Sequence, residues 1–445
     1  MGIQLSTDQV MALAPDSSSA NAGKKLAGAR HWQHPGQSAE ALWGECQGSA
    51  LYQVRVDLSS TTIQCSCPSR KFPCKHGIGL LLLAVNTPSA IPTAEHPEWV
   101  ATWLAKRSAA SKKREKPTTP EDAGAPQAPA RTDAAQSKRA GKRLTRVSQG
   151  LDRLDLWLND LLRSGLASVE TQPASFWENQ AAPLDDAQAP AIANRLRALA
   201  TIPNASPDWP ERLLAQVGRL ALLTHAFRQG EKLDTALQED VRQMIGWSIP
   251  EEEVATRGTV VTDDWLFLGQ RVEHGTRLHT QYTWLLGIHS GRNAMLLQFA
   301  VASTPFSKVY LLGTRQHADV AFWPGAYPQR ARIEVRRGEI APITERLPGT
   351  ESMDTFLASI AAALARQPWL ERNLCVLQNV TPVYDIQQQR WSIRDQSGAA
   401  LPLAKGKYWR LLALSGGRPI DFAGEWDGEA LFPLGVLADG AYHLL

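Results

Sequence analysis

The chain has 445 residues, 43% of them hydrophobic and 20% charged, and a formal net charge of +3 at pH 7. At about 150 residues per domain this length corresponds to roughly three domains, and the composition excludes a wholly disordered, collagen-like or coiled-coil chain. The longest apolar run, residues 78–85 interrupted by Gly79, is less than half of the roughly 20 residues that cross a bilayer, so no membrane span is expected. Lys24 and Lys25 have no apolar stretch behind them. A secretory signal is therefore not expected, the reducing cytoplasm is the expected location, and the five cysteines are read as thiols or metal ligands.

The first legible element is a strand. Tyr52, Val54, Val56 and Leu58 alternate with Gln53, Arg55 and Asp57, the period of a half-buried strand. Residues 59–62 turn the chain, and Ile63-Gln64 begins a return strand that carries Cys65 and Cys67. Six residues later come Cys74 and His76, and His76 opens an apolar run expected to form a helix. The spacing predicts a ββα unit with a metal at its junction. Zinc takes four tetrahedral N/S donors, and Cys65, Cys67, Cys74 and His76 make a complete Cys3His set. A filled site leaves no position for an activated water, so one structural zinc is expected, supplying folding free energy to a unit too small to be stable alone. Cys-x-Cys is not the Cys-x-x-Cys redox spacing, and an iron–sulfur cluster would more often use four cysteines. Cys46 and Cys375 are expected to be small buried thiols.

At these residues the chain resembles the SWIM-type zinc fingers, whose pattern is Cys-x-Cys, a variable gap, then Cys-x-His. Cys65, Cys67, Cys74 and His76 fall on the four ligand positions. The layout, including the Trp-Gly-Glu-Cys-Gln-Gly-Ser stretch from Trp43, is similar to stand-alone bacterial SWIM zinc finger proteins. The resemblance covers about residues 30–90 and implies zinc binding with a role in DNA binding or protein–protein contact.

Beyond the finger, twelve basic residues stand against four acids between Lys106 and Arg146, making that segment +8 and the rest of the chain −5. With its prolines and scarcity of large apolar residues, segment 106–146 is expected to be a disordered basic linker. Next, leucines and isoleucines recur at helical spacing from Leu151 to about Gly246, with Pro190 and Pro210 placed where first-turn prolines belong. After Thr262 the pattern changes to strands, at residues 265–268, 283–288 and 294–300, the last two flanking a hairpin loop at 289–293. A helix is expected at 352–366, and further strands around Val376, Trp391, 408–414 and Leu431. The 15 tryptophans are read as separate core residues rather than one stacking platform.

The expected fold is therefore α+β and multidomain: an N-terminal module (1–105) with the zinc-stabilised ββα unit at about 50–90, the linker (106–146), a helical region (147–250), and a mainly β, Trp-rich region (260–445). P-loop, nucleophile-elbow and His-Glu-x-x-His motifs have no match in the chain, so an enzyme is not expected. The expected function is that of a zinc-binding adaptor contacting DNA or a protein, with Arg55, Arg70, Lys71 and Lys75 as candidate nucleic-acid contacts beside the metal. The alternative is an enzyme with an unrecognised active site in the C-terminal β region.

Overall fold

The computed structural model describes residues 7–48, 50–58, 62–69, 71–115, 133–275, 278–301, 306 and 308–445. Two helices come first, α1 (Thr7–Ala12) and α2 (Ser17–Lys25), the second capped by Asp16, whose carboxylate accepts the Ser19 N–H. Four antiparallel strands then lie side by side in chain order: β1 (Trp32–Gln37), β2 (Ala41–Gln47), β3 (Leu51–Asp57) and β4 (Thr62–Cys65). Helix α3 (Lys75–Asn86) is buried from His76 through Ala84. A helix apolar on every side must be covered on every side. Here the sheet takes one face and α1 and α2 the other, so Val10, Leu42, Val54, Ile78 and Leu82 share one core. The expected ββα unit is thus the second half of a larger module. Leu311, from the β region far along the chain, completes its core.

Helix α4 (Glu98–Glu115) packs Val100 against Ala41 and Trp43. It enters the segment expected to be a linker without regular structure, and α5 (Asp133–Ser164) leaves it as helix. The middle of that segment, 116–132, lies outside the described residues. The alanines, lysines and arginines that deny it a core are strong helix formers, and from Val147 onward α5 has a buried stripe, Val147, Leu151, Leu154, Leu158 and Leu161, to hold it. Helices α6 (Ala174–Asp186), α7 (Pro190–Ala198), α8 (Trp209–Arg228) and α9 (Thr235–Ile245) pack with α5 around Trp177, Leu196, Leu213 and Leu220. Pro190 and Pro210 do open α7 and α8. A short α10 (Val254–Arg257) leads out of this bundle.

Strands β5 (Thr259–His274), β6 (Leu278–Gly287), β7 (Asn293–Val301), β8 (Thr314–Phe322) and β9 (Arg330–Pro342) close into a barrel in the order β5-β6-β7-β9-β8, with β7 and β9 its parallel pair. Helix α11 (Met353–Arg366) follows, capped by Ser352 as its sequence implied. The chain ends in β10 (Asn373–Asp385), β11 (Arg390–Arg394), β12 (Ala400–Pro402), α12 (Trp409–Ser415), β13 (Ile420–Trp426), β14 (Leu431–Ala438) and β15 (Ala441–Leu444). The strands form an antiparallel sheet ordered β12-β11-β10-β13-β14-β15. The strand expected at 408–414 is corrected to helix α12. Its Leu-Leu-Ala-Leu run is made of good helix formers, and Gly416, with φ of 57°, ends it in the left-handed conformation that glycine adopts without strain.

Barrel and sheet share a core in which Leu266, Leu268 and Trp284 meet Leu374, Leu434 and Tyr442. Of the seven tryptophans beyond Asp264, six are buried, and of these Trp391 and Trp426 share one core; Trp409, 56% exposed, has its ring 5.0 Å from that of Trp391.

Candidate metal centre

The four candidate ligands arrive from three local structures. Cys65 ends β4, which is held in register by pairing of Val54 with Cys65 and Val56 with Ile63. Cys67 follows in the loop, Cys74 is the N-cap of α3, and His76 lies in the first turn of that helix. What lets the helix come so close to the strand is Gly77: a Cβ there would lie 2.6 Å from Ile63 Cγ2. Gly79 does the same on the opposite side, where a Cβ would lie 2.7 Å from Leu26 Cβ. The Gly-x-Gly that looked like an interruption of an apolar run is a packing requirement.

One donor atom from each of Cys65, Cys67, Cys74 and His76 lies within 4.8 Å of all the others. His76 Nδ1 is 3.8 Å from Cys65 Sγ and 3.9 Å from Cys74 Sγ. Zinc–sulfur bonds near 2.3 Å and zinc–nitrogen bonds near 2.0–2.1 Å imply tetrahedral edges of roughly 3.5–3.8 Å, so the four donors are positioned for one ion. Cys74 and His76 are buried, Cys65 and Cys67 half-buried, and the Tyr52 ring sits 4.9 Å from the imidazole. Cys74 is the readiest thiolate. Hydrogen bonding from Cys65 holds its thiol well below the usual range, at about 4, with His76 and the Gly77 N–H helping against burial. Cys65 is displaced upward in turn. A thiolate at a helix N-terminus is the form zinc requires. With four protein donors the coordination sphere is complete, so the ion's role is to hold strand, loop and helix together.

Residues 52–84 match the family model of the SWIM zinc finger. The chain carries a SWIM zinc finger. Residues 142–245, from within α5 to the end of α9, match the SWIM-associated four-helix bundle domain. Searches of the curated proteins and of the solved structures each find no match.

The candidate nucleic-acid contacts around the SWIM finger are not brought together as one free basic face. Arg55 donates to Gln64 Oε1 at 2.8 and 3.0 Å and to the Trp99 carbonyl at 3.2 Å, and its guanidinium lies 5.6 and 5.4 Å from the Trp99 and Trp103 rings. Lys71 is ion-paired with Asp16 at 2.8 Å. Lys75 is exposed at the start of α3, and Arg70 lies outside the described residues. Reading the sequence missed Trp99 and Trp103, which with Arg55, Gln64, Glu98 and Lys106 line an open groove of about 550 Å³ beside the finger. Their spacing of four on a helix was the available signal. Cys46 is fully buried in the module's core and is not one of the four clustered donors.

Proposed function

We propose that this chain is a non-catalytic interaction protein whose SWIM finger docks a protein partner through the Arg55–Trp99–Trp103 groove. The observation that carries this reading is the state of the basic residues: Arg55 is stacked and hydrogen-bonded within the molecule, and Lys71 is paired. Phosphate binding by either would first have to break those contacts. Tryptophan and arginine, in contrast, are the residues that dominate protein interfaces. The filled zinc site supports a structural rather than a catalytic finger.

The test is a pull-down from lysate with the intact, zinc-loaded protein, repeated after nuclease treatment and with Trp99→Ala. Partners retained after nuclease and lost with Trp99→Ala support the reading; partners lost with nuclease overturn it. A DNA reading is favoured by one observation, the +8 charge of segment 106–146. If that reading holds, retention on DNA falls steeply with salt, by a slope of about 0.9 per phosphate contact, and deleting 106–146 flattens the slope by several units while zinc content stays at one per chain.

A further inference from the structure

A second site lies where three parts of the chain meet, far from the finger in sequence. A cleft of about 200 Å³ opens between the helical bundle, the barrel and the segment after α11. It adjoins another of about 260 Å³ with which it shares Arg195, Trp369 and Glu371. Together they reach the lower range of small-molecule sites, about 300–1,000 Å³.

The residues lining the cleft include three buried polar atoms that have no hydrogen-bond partner among the described residues: Trp323 Nε1, Arg330 Nε and Gln367 Oε1. Buried polar atoms are almost always satisfied, and each one left alone is destabilising. Trp323 is only 7% exposed. The Arg330 guanidinium lies over this ring, 4.2 Å from its centre, which holds it against the indole.

Charge points the same way. Arg330 has no carboxylate within salt-bridge distance among the described residues; Glu251, the acid whose field reaches it, is already engaged by Lys308 and Arg332. Of the other charges of the cleft, Glu371 pairs with Arg195 and Arg372 with Glu273 and Glu425, while Asp240 has no cation within salt-bridge distance among the described residues and accepts the Ala326 N–H at 2.7 Å. The cleft lining therefore holds a stacked guanidinium without a carboxylate partner among the described residues, the indole it stacks on, and an amide oxygen without a donor.

We propose that this cleft binds a small hydroxylated oxyanion, a phosphate or carboxylate whose oxygens accept from Arg330 and Trp323 and whose hydroxyl donates to Gln367. The ligand must carry both functions, because an oxyanion without a hydroxyl leaves the Gln367 oxygen unsatisfied and a neutral polyol leaves the guanidinium charge unanswered.

Calorimetric titration of the full-length, zinc-loaded protein at constant ionic strength tests this with glycerol 3-phosphate, glycerate, inorganic phosphate, sulfate and glycerol. The expected result is saturable binding of glycerol 3-phosphate or glycerate, whichever of the two chemistries the cleft prefers, weaker binding of inorganic phosphate and sulfate, and none of glycerol. Arg330→Lys, which keeps the charge and most of the stem, should weaken the hydroxylated anion at least about tenfold by losing the planar fork. Gln367→Leu should weaken the hydroxylated anion and leave the weaker binding of sulfate, which carries no hydroxyl, unchanged, a split that a folding defect would not produce. Absence of saturable binding of either hydroxylated anion by the wild-type protein at about 10 mM, an affinity below any useful site, overturns the proposal. Equal affinity in wild type, Arg330→Lys and Gln367→Leu overturns it as well.

Discussion

The SWIM finger and the junction of barrel with C-terminal sheet each bury polar groups among apolar side chains, and they satisfy them by opposite means. In the finger, three thiols and an imidazole converge from twelve consecutive residues into a donor set that one cation completes. At the junction, Glu425 is fully buried on β13, yet its Oε1 accepts from Arg271 at 2.8 Å and Arg372 at 2.5 Å while its Oε2 accepts from Trp284 Nε1 at 2.8 Å. Glu273 takes the second arm of Arg372 at 2.5 Å, so two guanidiniums meet two carboxylates. One cluster is completed by an ion from outside the chain. The other is closed by the chain itself, at the cost of requiring barrel and sheet to be assembled together.

The comparison fails if removing the metal does not separate the two. Cys74→Ser should reduce zinc from one per chain to near none by elemental analysis, whereas Cys46→Ser should leave it unchanged. Structural zinc in small fingers is worth about 10–16 kcal/mol, so the module of β1–β4 and α3 should lose hydrogen-exchange protection throughout. Protection in β5–β15 should persist, reduced only where Val309, Leu311 and Ile340 leave the module's core. Unfolding of all regions in one step on chelation would show that this small apolar patch couples them far more tightly than its size suggests.

The junction is probed by Glu425→Ala, which leaves Arg271 and Arg372 without their shared buried acceptor. Breaking a buried pair in this way costs about 3–5 kcal/mol. Chemical denaturation followed by tryptophan fluorescence should show that loss, with zinc content intact. A loss below about 1 kcal/mol, the range of exposed pairs, would mean that water reaches the cluster and that the chain does not close it.

The same contrast explains which parts could be read from the sequence. The finger was legible because its ligands are neighbours: Cys-x-Cys and Cys-x-His fix chemistry within a dozen residues, and the alternation at Tyr52–Leu58 fixes the strand that leads to them. The helical region was legible for a similar reason, since Leu151, Leu154 and Leu158 declare a buried stripe within two turns. Glu425 and Arg271 are 154 residues apart, and nothing local to either marks the other. Closure of the barrel by β7 and β9 is equally non-local. Helix α12 was misread because a short apolar run such as Leu411–Leu414 fits strand and helix alike until its neighbours are known. Lys71 looked available for phosphate because Asp16, its partner, belongs to a helix that carries no pattern linking it to the finger.

A smaller effect sharpens the comparison from the bundle's side, where a buried acid has neither a metal nor a guanidinium. Asp240 in α9 is 7% exposed, and its carboxylate accepts the Ala326 N–H at the bundle's seam with the barrel. Burial pushes its carboxyl up to about 6, with Asp234 and Glu239 adding to the rise, against the Ala326 N–H and Gln367. A native carboxyl raised above its unfolded value of 3.8 binds its proton more tightly when folded, so ionising it costs stability. The penalty is absent below about pH 4, grows through the interval up to about 6, and is constant above, where it amounts to about 2–3 kcal/mol. Asp240→Asn keeps an oxygen for the Ala326 N–H and removes the charge. It should therefore raise stability relative to wild type at pH 8, by about 1–2 kcal/mol once the imperfect fit of the amide is counted, and by much less at pH 5. Comparing the two proteins at each pH cancels any change in the finger, which both share. If the difference between them is the same at pH 5 and pH 8, the carboxylate is stabilised by its surroundings, and the seam would be a third self-satisfied cluster rather than a group left to carry its burial alone.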